Sequence, residues 1–218
     1  MIQGLYAITP SGLEENDLLT KTEVLLKEGI KLIQYRDKIL DKKTLQEKAH
    51  ALLKLTKKYG AKLVINDHVE ICLEISADGF HLGLEDYSSE GNLELLKKNK
   101  EFISKNLICG LSCKWNKELV VNPPENEIKW TYLAVGSFYP SNTKSTIPET
   151  NESVKRKFLS YTDKPLVAIG GINKKNIGEV RSLGYSCFAL SEALFENPQN
   201  VLNEYKLSLI HISEPTRH

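Results

Sequence analysis

Gln34, Arg36 and Lys38 alternate through the segment QYRDK at the end of an apolar run. An amide and two cations in that phase make an anion grip. They share one face while the backbone stays extended, and charge on the inner face of a sheet is costly unless an anion compensates it. An isolated RDK reads better as the start of a solvated loop. It is Gln34, in phase inside the apolar run, that favours the grip. Two further apolar runs end in IND and HLGLED, which place Asn66, Asp67, Glu85 and Asp86 close together. Two carboxylates, Asp67 and Asp86, brought to one point suit Mg²⁺, a hard cation that keeps waters and substrate phosphates as ligands. Asp67 alone would serve equally as the cap of a helix starting at HVEICLEI.

More candidates follow along the chain. GLSCK offers the hydroxyl of Ser112, which reads as well as a helix cap, and then Lys114, read as solvated. In SNTKSTIPETN, Ser141, Thr143 and Lys144 supply two hydroxyls and a cation suited to phosphate oxygens. VAIGGI and FALSEAL carry Gly170, Gly171, Leu190 and Ser191, where main-chain N–H groups and a helix start can hold a phosphate. Cys113 has no His and Asp arrangement to activate it, His68 lies at a run end, and His81 reads as packing or support rather than as a ligand.

These residues need a scaffold that gathers run ends. Eight short apolar runs (GLYAIT, KLIQY, KLVIN, GFHL, LICGLS, TYLAVG, PLVAIG and CFAL) alternate with segments of helical periodicity such as Leu45, Ala49, Leu52 and Leu55. Strict β/α alternation with runs apolar on both faces predicts an α/β fold, a (β/α)₈ TIM barrel, with its site at the strand C-termini. Residues 1–206 are expected to form this single domain. Pro123 and Pro124 leave room only for a short fifth helix, and 141–151 reads as a long polar loop after strand six.

Basic (29) and acidic (28) residues are interspersed and give a net charge of +1, which argues against a nucleic-acid or membrane-surface protein and makes any anion binding local. MIQGLYAITP predicts no secretory signal, and no run approaches the roughly 18 apolar residues of a spanning helix. Scattered Cys72, Cys109, Cys113 and Cys187 fit reduced core thiols, so a cytoplasmic location is expected. Residues 207–218 stand apart. LSLIHISEPTR resembles the translation of a sequencing adapter, and the natural C-terminus is then expected to be missing.

Taken in order, QYRDK, IND, HLGLED, GLSC, GSFYPSNTK, VAIGGI and ALSEAL resemble the thiamine-phosphate synthase family, from Tyr6 to about Tyr205. The family joins 4-amino-2-methyl-5-hydroxymethylpyrimidine diphosphate to 4-methyl-5-(2-phosphoethyl)thiazole by a dissociative substitution that releases pyrophosphate and uses Mg²⁺. The resemblance implies that Gln34 meets the pyrimidine, while Arg36, Lys38, Asn66, Ser112 and Lys144 hold the diphosphate. Asp67 and Asp86 would hold Mg²⁺. Ser141 and Thr143 would lie near the thiazole phosphate, which Gly171, Leu190 and Ser191 would hold, with Gly170 beside them. Leu84 stands where a Gln is usual and Ser137 where Pro is frequent. The competing readings are a thiazole tautomerase, whose relatives tend to lose the diphosphate set, and a non-catalytic binder of thiamine phosphates.

Overall fold

Each of the eight apolar runs becomes a strand, and each strand pairs in parallel with the next. In the computed structural model, which describes residues 2–125, 127–140, 150–199 and 205, the strands are β1 (Gly4–Ile8), β2 (Leu32–Tyr35), β3 (Lys62–Asn66), β4 (Gly79–Leu82), β5 (Ile108–Ser112), β6 (Tyr132–Gly136), β7 (Leu166–Ile169) and β8 (Cys187–Leu190). They close in chain order, β8 returning to β1 through Gly4↔Cys187 and Ala7↔Leu190. The helices are α1 (Glu15–Lys27), α2 (Lys42–Lys58), α3 (Val69–Glu74), α4 (Leu84–Tyr87), α5 (Glu90–Lys98), α6 (Lys100–Asn106), α7 (Lys117–Val121), α8 (Glu152–Phe158), α9 (Ile177–Ser182) and α10 (Glu192–Phe195). The architecture is a (β/α)₈ barrel.

Period-two alternation in the strands makes two cores. Inside the barrel, Tyr6, Ile8, Leu32, Val64, Tyr132, Ala134, Val167, Cys187 and Ala189 form one cluster. The other strand faces meet the helices in a larger cluster, to which α2 contributes Leu45, Ala49, Leu52 and Leu53. Leu55, expected on the same stripe, is only partly buried and packs against this cluster. Asp41 starts α2 by accepting from Thr44 N at 3.1 Å, which satisfies a free N–H of the first turn.

Two local details differ from the periodicity. The chain between β4 and β5 is broken into α4, α5 and α6. Strand β2 stops at Tyr35, before Arg36, so Arg36 and Lys38 reach the mouth from a loop and not along an extended strand. The cause is buried Asp37, whose carboxylate accepts from Gly12 N and Ile39 N, both at 3.0 Å, and turns the chain. The short fifth helix is α7, which ends at Val121, before the two prolines. All four cysteines are free and buried, and burial pushes the thiols of Cys109, Cys113 and Cys187 up to about 12, out of reach of nucleophilic use. Among the described residues no helix is long and apolar enough to cross a membrane. Ser141, Thr143, Lys144 and the 207–218 tail lie outside the described residues.

Candidate active site

Register carries the strand ends to one rim. Ile8 pairs with Gln34, Asn66 with His81, Ser112 with Ala134 and Gly136 with Ile169, so the polar residues that follow converge at the C-terminal mouth. The β2 loop is held from β1. Thr9 Oγ1 accepts from Arg36 N at 2.9 Å and donates to Arg36 O at 3.0 Å. Ser11 Oγ accepts from Lys38 N at 3.2 Å and lies 3.4 Å from an Arg36 guanidinium nitrogen. No carboxylate pairs with Arg36 among the described residues, so its charge is available to a ligand.

The acidic pair forms on the neighbouring side. Asp67 sits just after β3 with φ of 63°, a left-handed conformation that Asp tolerates better than most residues. It does not cap α3: His68 holds that position and makes no side-chain cap bond. Instead its carboxylate accepts from Asn66 Nδ2 at 2.6 Å and lies 3.5 Å from Lys38 Nζ. Burial first, and the nearby Asp86 carboxylate second, raise the Asp67 carboxyl above its ordinary range, while Lys38 pulls it down. Asp86 lies one short turn beyond β4, in α4, rather than at the strand end. Asn92 of α5 joins the two stretches by donating to Asp67 O at 3.3 Å and Asp86 O at 2.8 Å, a role the sequence reading missed. Glu85 and His68 are exposed. Two crowded carboxylates with one partly exposed lysine leave negative charge that a divalent cation would offset. Among the described residues no group of three His, Cys, Asp or Glu gathers at one point.

Beneath the rim, Gln34 is 3% exposed and donates from Nε2 to Tyr6 Oη at 2.9 Å. Tyr6 Oη meets Tyr132 Oη at 2.8 Å, and Tyr132 Oη meets His81 Nδ1 at 3.0 Å, so a polar chain crosses the apolar interior from β2 through β1 and β6 to β4. Burial lowers the His81 imidazole to about 4 and keeps it neutral. Tyrosines spaced in phase with the inward residues of β1 and β6 were the available signal for this chain, since a buried hydroxyl demands a partner.

Across the mouth the chemistry is main-chain. Ser112 ends β5 partly buried, and because Asn116 caps α7 by accepting from Leu119 N at 3.2 Å, Ser112 is not that helix's cap. After β7, Gly171 has φ of 65°, and its carbonyl accepts from Asn176 Nδ2 at 2.9 Å and Asn173 Nδ2 at 3.3 Å, while its N–H makes no bond among the described residues. A Cβ on Gly171 would lie 2.5 Å from Pro140 O and 2.6 Å from Tyr139 O, so only glycine lets the two loops close up. Gly170 O accepts from Tyr139 N at 3.1 Å. Leu190 is buried, and Ser191 starts α10 without a side-chain cap bond. Since α10 is a single turn of 4 residues, it offers local N–H groups rather than a long helix dipole. Lys114, with φ of 53°, is solvated as expected. A cavity of about 600 Å³ also opens at the opposite end, lined by Ile2, Leu5, Leu32 and Ile108, far from these groups.

Comparison with known proteins places this barrel among relatives. The family model described as thiamine monophosphate synthase matches residues 5–194. A thiamine-phosphate synthase of Nitrosospira multiformis is 37% identical over 196 residues, covering 89% of this chain and 79% of the relative. One from Methanobrevibacter smithii is 31% identical, covering 93% and 95%. A solved thiamine phosphate pyrophosphorylase from Pyrococcus furiosus superposes with a TM-score of 0.78 at 28% identity, covering 97% of this chain and 98% of that one.

Proposed function

The chain belongs to the thiamine monophosphate synthase family, a transferase that makes thiamine phosphate, and we propose how its barrel mouth does so. The carrying observation is the gathering of Arg36, which no carboxylate pairs among the described residues, with Lys38 and the Asp67 and Asp86 carboxylates on one side, against the Gly171 backbone and the start of α10 at Ser191 on the other. The charged side receives the diphosphate of 4-amino-2-methyl-5-hydroxymethylpyrimidine diphosphate. The glycine side receives the phosphate of 4-methyl-5-(2-phosphoethyl)thiazole.

In the reaction the bond between the pyrimidine methylene carbon and the diphosphate oxygen breaks, and its electron pair leaves with pyrophosphate. The thiazole nitrogen then supplies the pair for the new C–N bond. No protein group need give or take a proton in the bond-breaking step. Arg36 and Lys38 stabilise negative charge as it grows on the leaving group, Asn66 and Ser112 orient that group, and Lys144 adds a further cation. Asp67 and Asp86 would hold Mg²⁺, which when bound would neutralise diphosphate oxygens. Gly170, Gly171, Leu190 and Ser191, with Ser141 and Thr143, fix the thiazole so that its nitrogen is in line. The enzyme is expected in the cytoplasm.

Retention of the whole charged set favours this reading over a tautomerase that handles only the thiazole, and over a binder without turnover. The test incubates protein, both substrates and Mg²⁺ and follows thiamine phosphate and pyrophosphate. Equimolar appearance of the two is expected. Interconversion of thiazole tautomers alone, or binding of both substrates without reaction by a folded sample, would overturn it.

A further inference from the structure

The polar chain inside the barrel has a direction. A hydroxyl donates one hydrogen, so the orientation of each member follows from the next. With Nδ1 of His81 accepting, Tyr132 donates to it, Tyr6 donates to Tyr132, and Tyr6 is left to accept from Gln34 Nε2. Reversing the imidazole tautomer would reverse every bond and turn the Gln34 carbonyl toward Tyr6 instead. In the sense set by Gln34 Nε2 donating to Tyr6, Gln34 Oε1 has no partner among the described residues, and it is not one of the polar atoms sealed from solvent. It is therefore the end of the amide turned to the mouth.

The barrel makes room for this chain. A Cβ on Gly110 would lie 2.2 Å from Tyr132 Cζ, 2.3 Å from Tyr132 Oη and 2.6 Å from His81 Nδ1, so the absence of a side chain at that point of β5 lets the Tyr132–His81 contact form. The two rings are stacked, with centroids 5.6 Å apart and planes at 18°, and Tyr6 meets Tyr132 edge-on at 85°. Both hydroxyls and the imidazole are enclosed, and among the described residues none of the three side chains has a hydrogen-bond partner outside the polar chain.

We propose that His81, Tyr132 and Tyr6 are positioning residues that lock the Gln34 amide with its carbonyl facing the substrate, so that the site selects a pyrimidine bearing a hydrogen-bond donor over its oxo counterpart. This rests on the assignment of Gln34 to the pyrimidine. An amino group at C4 donates to Oε1, whereas an oxo group would place two acceptors face to face. An amide free to flip would serve either. Sites built to pair one polar group reject the analogue that leaves it unpaired far more strongly than an apolar pocket does.

The experiment measures dissociation constants for the 4-amino and 4-oxo pyrimidine diphosphates with Mg²⁺, without thiazole phosphate, on wild type, Tyr6→Phe and Tyr132→Phe. Turnover of the amino substrate by wild type and thermal unfolding of each protein are run alongside. Wild type is expected to prefer the amino compound by about 100-fold or more, and each variant to lose at least about tenfold of that preference. A purely structural role would lower the melting temperature and weaken both ligands alike, leaving the ratio unmoved. An unmoved ratio in a folded variant overturns the proposal. Should neither variant fold, a wild-type ratio near one overturns it, and a ratio above about 100 supports it. Absence of wild-type turnover would instead count against the synthase reading.

Discussion

On the β2 to β4 side of the mouth, Arg36, Lys38, Asp67 and Asp86 present charged side chains on loops pinned by Thr9, Ser11, Asp37 and Asn92. At β7 and β8 the groups on offer are main-chain N–H groups at Gly171 and at the start of α10, the first in a loop closed by two asparagine side chains. The first side is tuned by charge and the second by backbone shape. A leaving group whose charge grows during reaction is best met by full charges. A phosphate that only anchors its substrate needs no more than well-placed dipoles. Substitutions should therefore fail in different ways on the two sides.

The largest separation should come from Lys38→Ala. With the Lys38 side chain half-exposed and, among the described residues, held through a 3.5 Å contact to Asp67, its loss should leave the fold intact. We expect kcat to fall by about 100-fold with the KM for thiazole phosphate within about threefold of wild type, measured by steady-state kinetics. An unaltered kcat would remove Lys38 from the site. Gly171→Ala should show the converse. The added Cβ at φ of 65° pushes against Pro140 O and Tyr139 O, and we expect the KM for thiazole phosphate to rise by about 30-fold, equivalent to about 2 kcal/mol, while affinity for the pyrimidine diphosphate holds. Equal loss of both substrates would erase the distinction between the two sides.

The smallest effect concerns stability. The Asp67 carboxyl is raised in the folded protein by burial and by Asp86, so the unfolded chain gives up that proton more readily. As pH rises from about 3.8 through the raised folded value, this group costs stability. His81 acts oppositely: lowered to about 4 in the fold, it adds stability as pH rises from about 4 to about 6.5. The comparison of wild type with Asp67→Asn isolates the first effect. At neutral pH without Mg²⁺ the variant should melt no lower than wild type. Mg²⁺ tenfold above its dissociation constant should stabilise wild type by about 1.4 kcal/mol, a few degrees in melting temperature, and leave the variant unmoved. Equal stabilisation of both proteins by Mg²⁺ would place the cation elsewhere.

Much of this was legible in the chain because it is written locally. Eight apolar runs with helical spacers dictate the barrel, and the barrel dictates that Asn66, Ser112, Gly171 and Ser191 share a rim with Gln34 just beneath it. What was not legible depends on neighbours distant in sequence. Asp37, out of phase with the alternating Gln34, Arg36 and Lys38, ends the strand by reaching back to Gly12. The partners of Asn92 only meet it once β3 and β4 are side by side. Tyr6 and Tyr132 are 126 positions apart, and no local pattern joins them.

Asn92 has one further consequence. Because a single amide nitrogen holds the carbonyls of both acidic residues, the two loops hang from a common peg. A displacement of α5 would carry both along, and the spacing of the two main-chain segments would be preserved where their absolute positions are not. What the site keeps constant is a separation rather than a place.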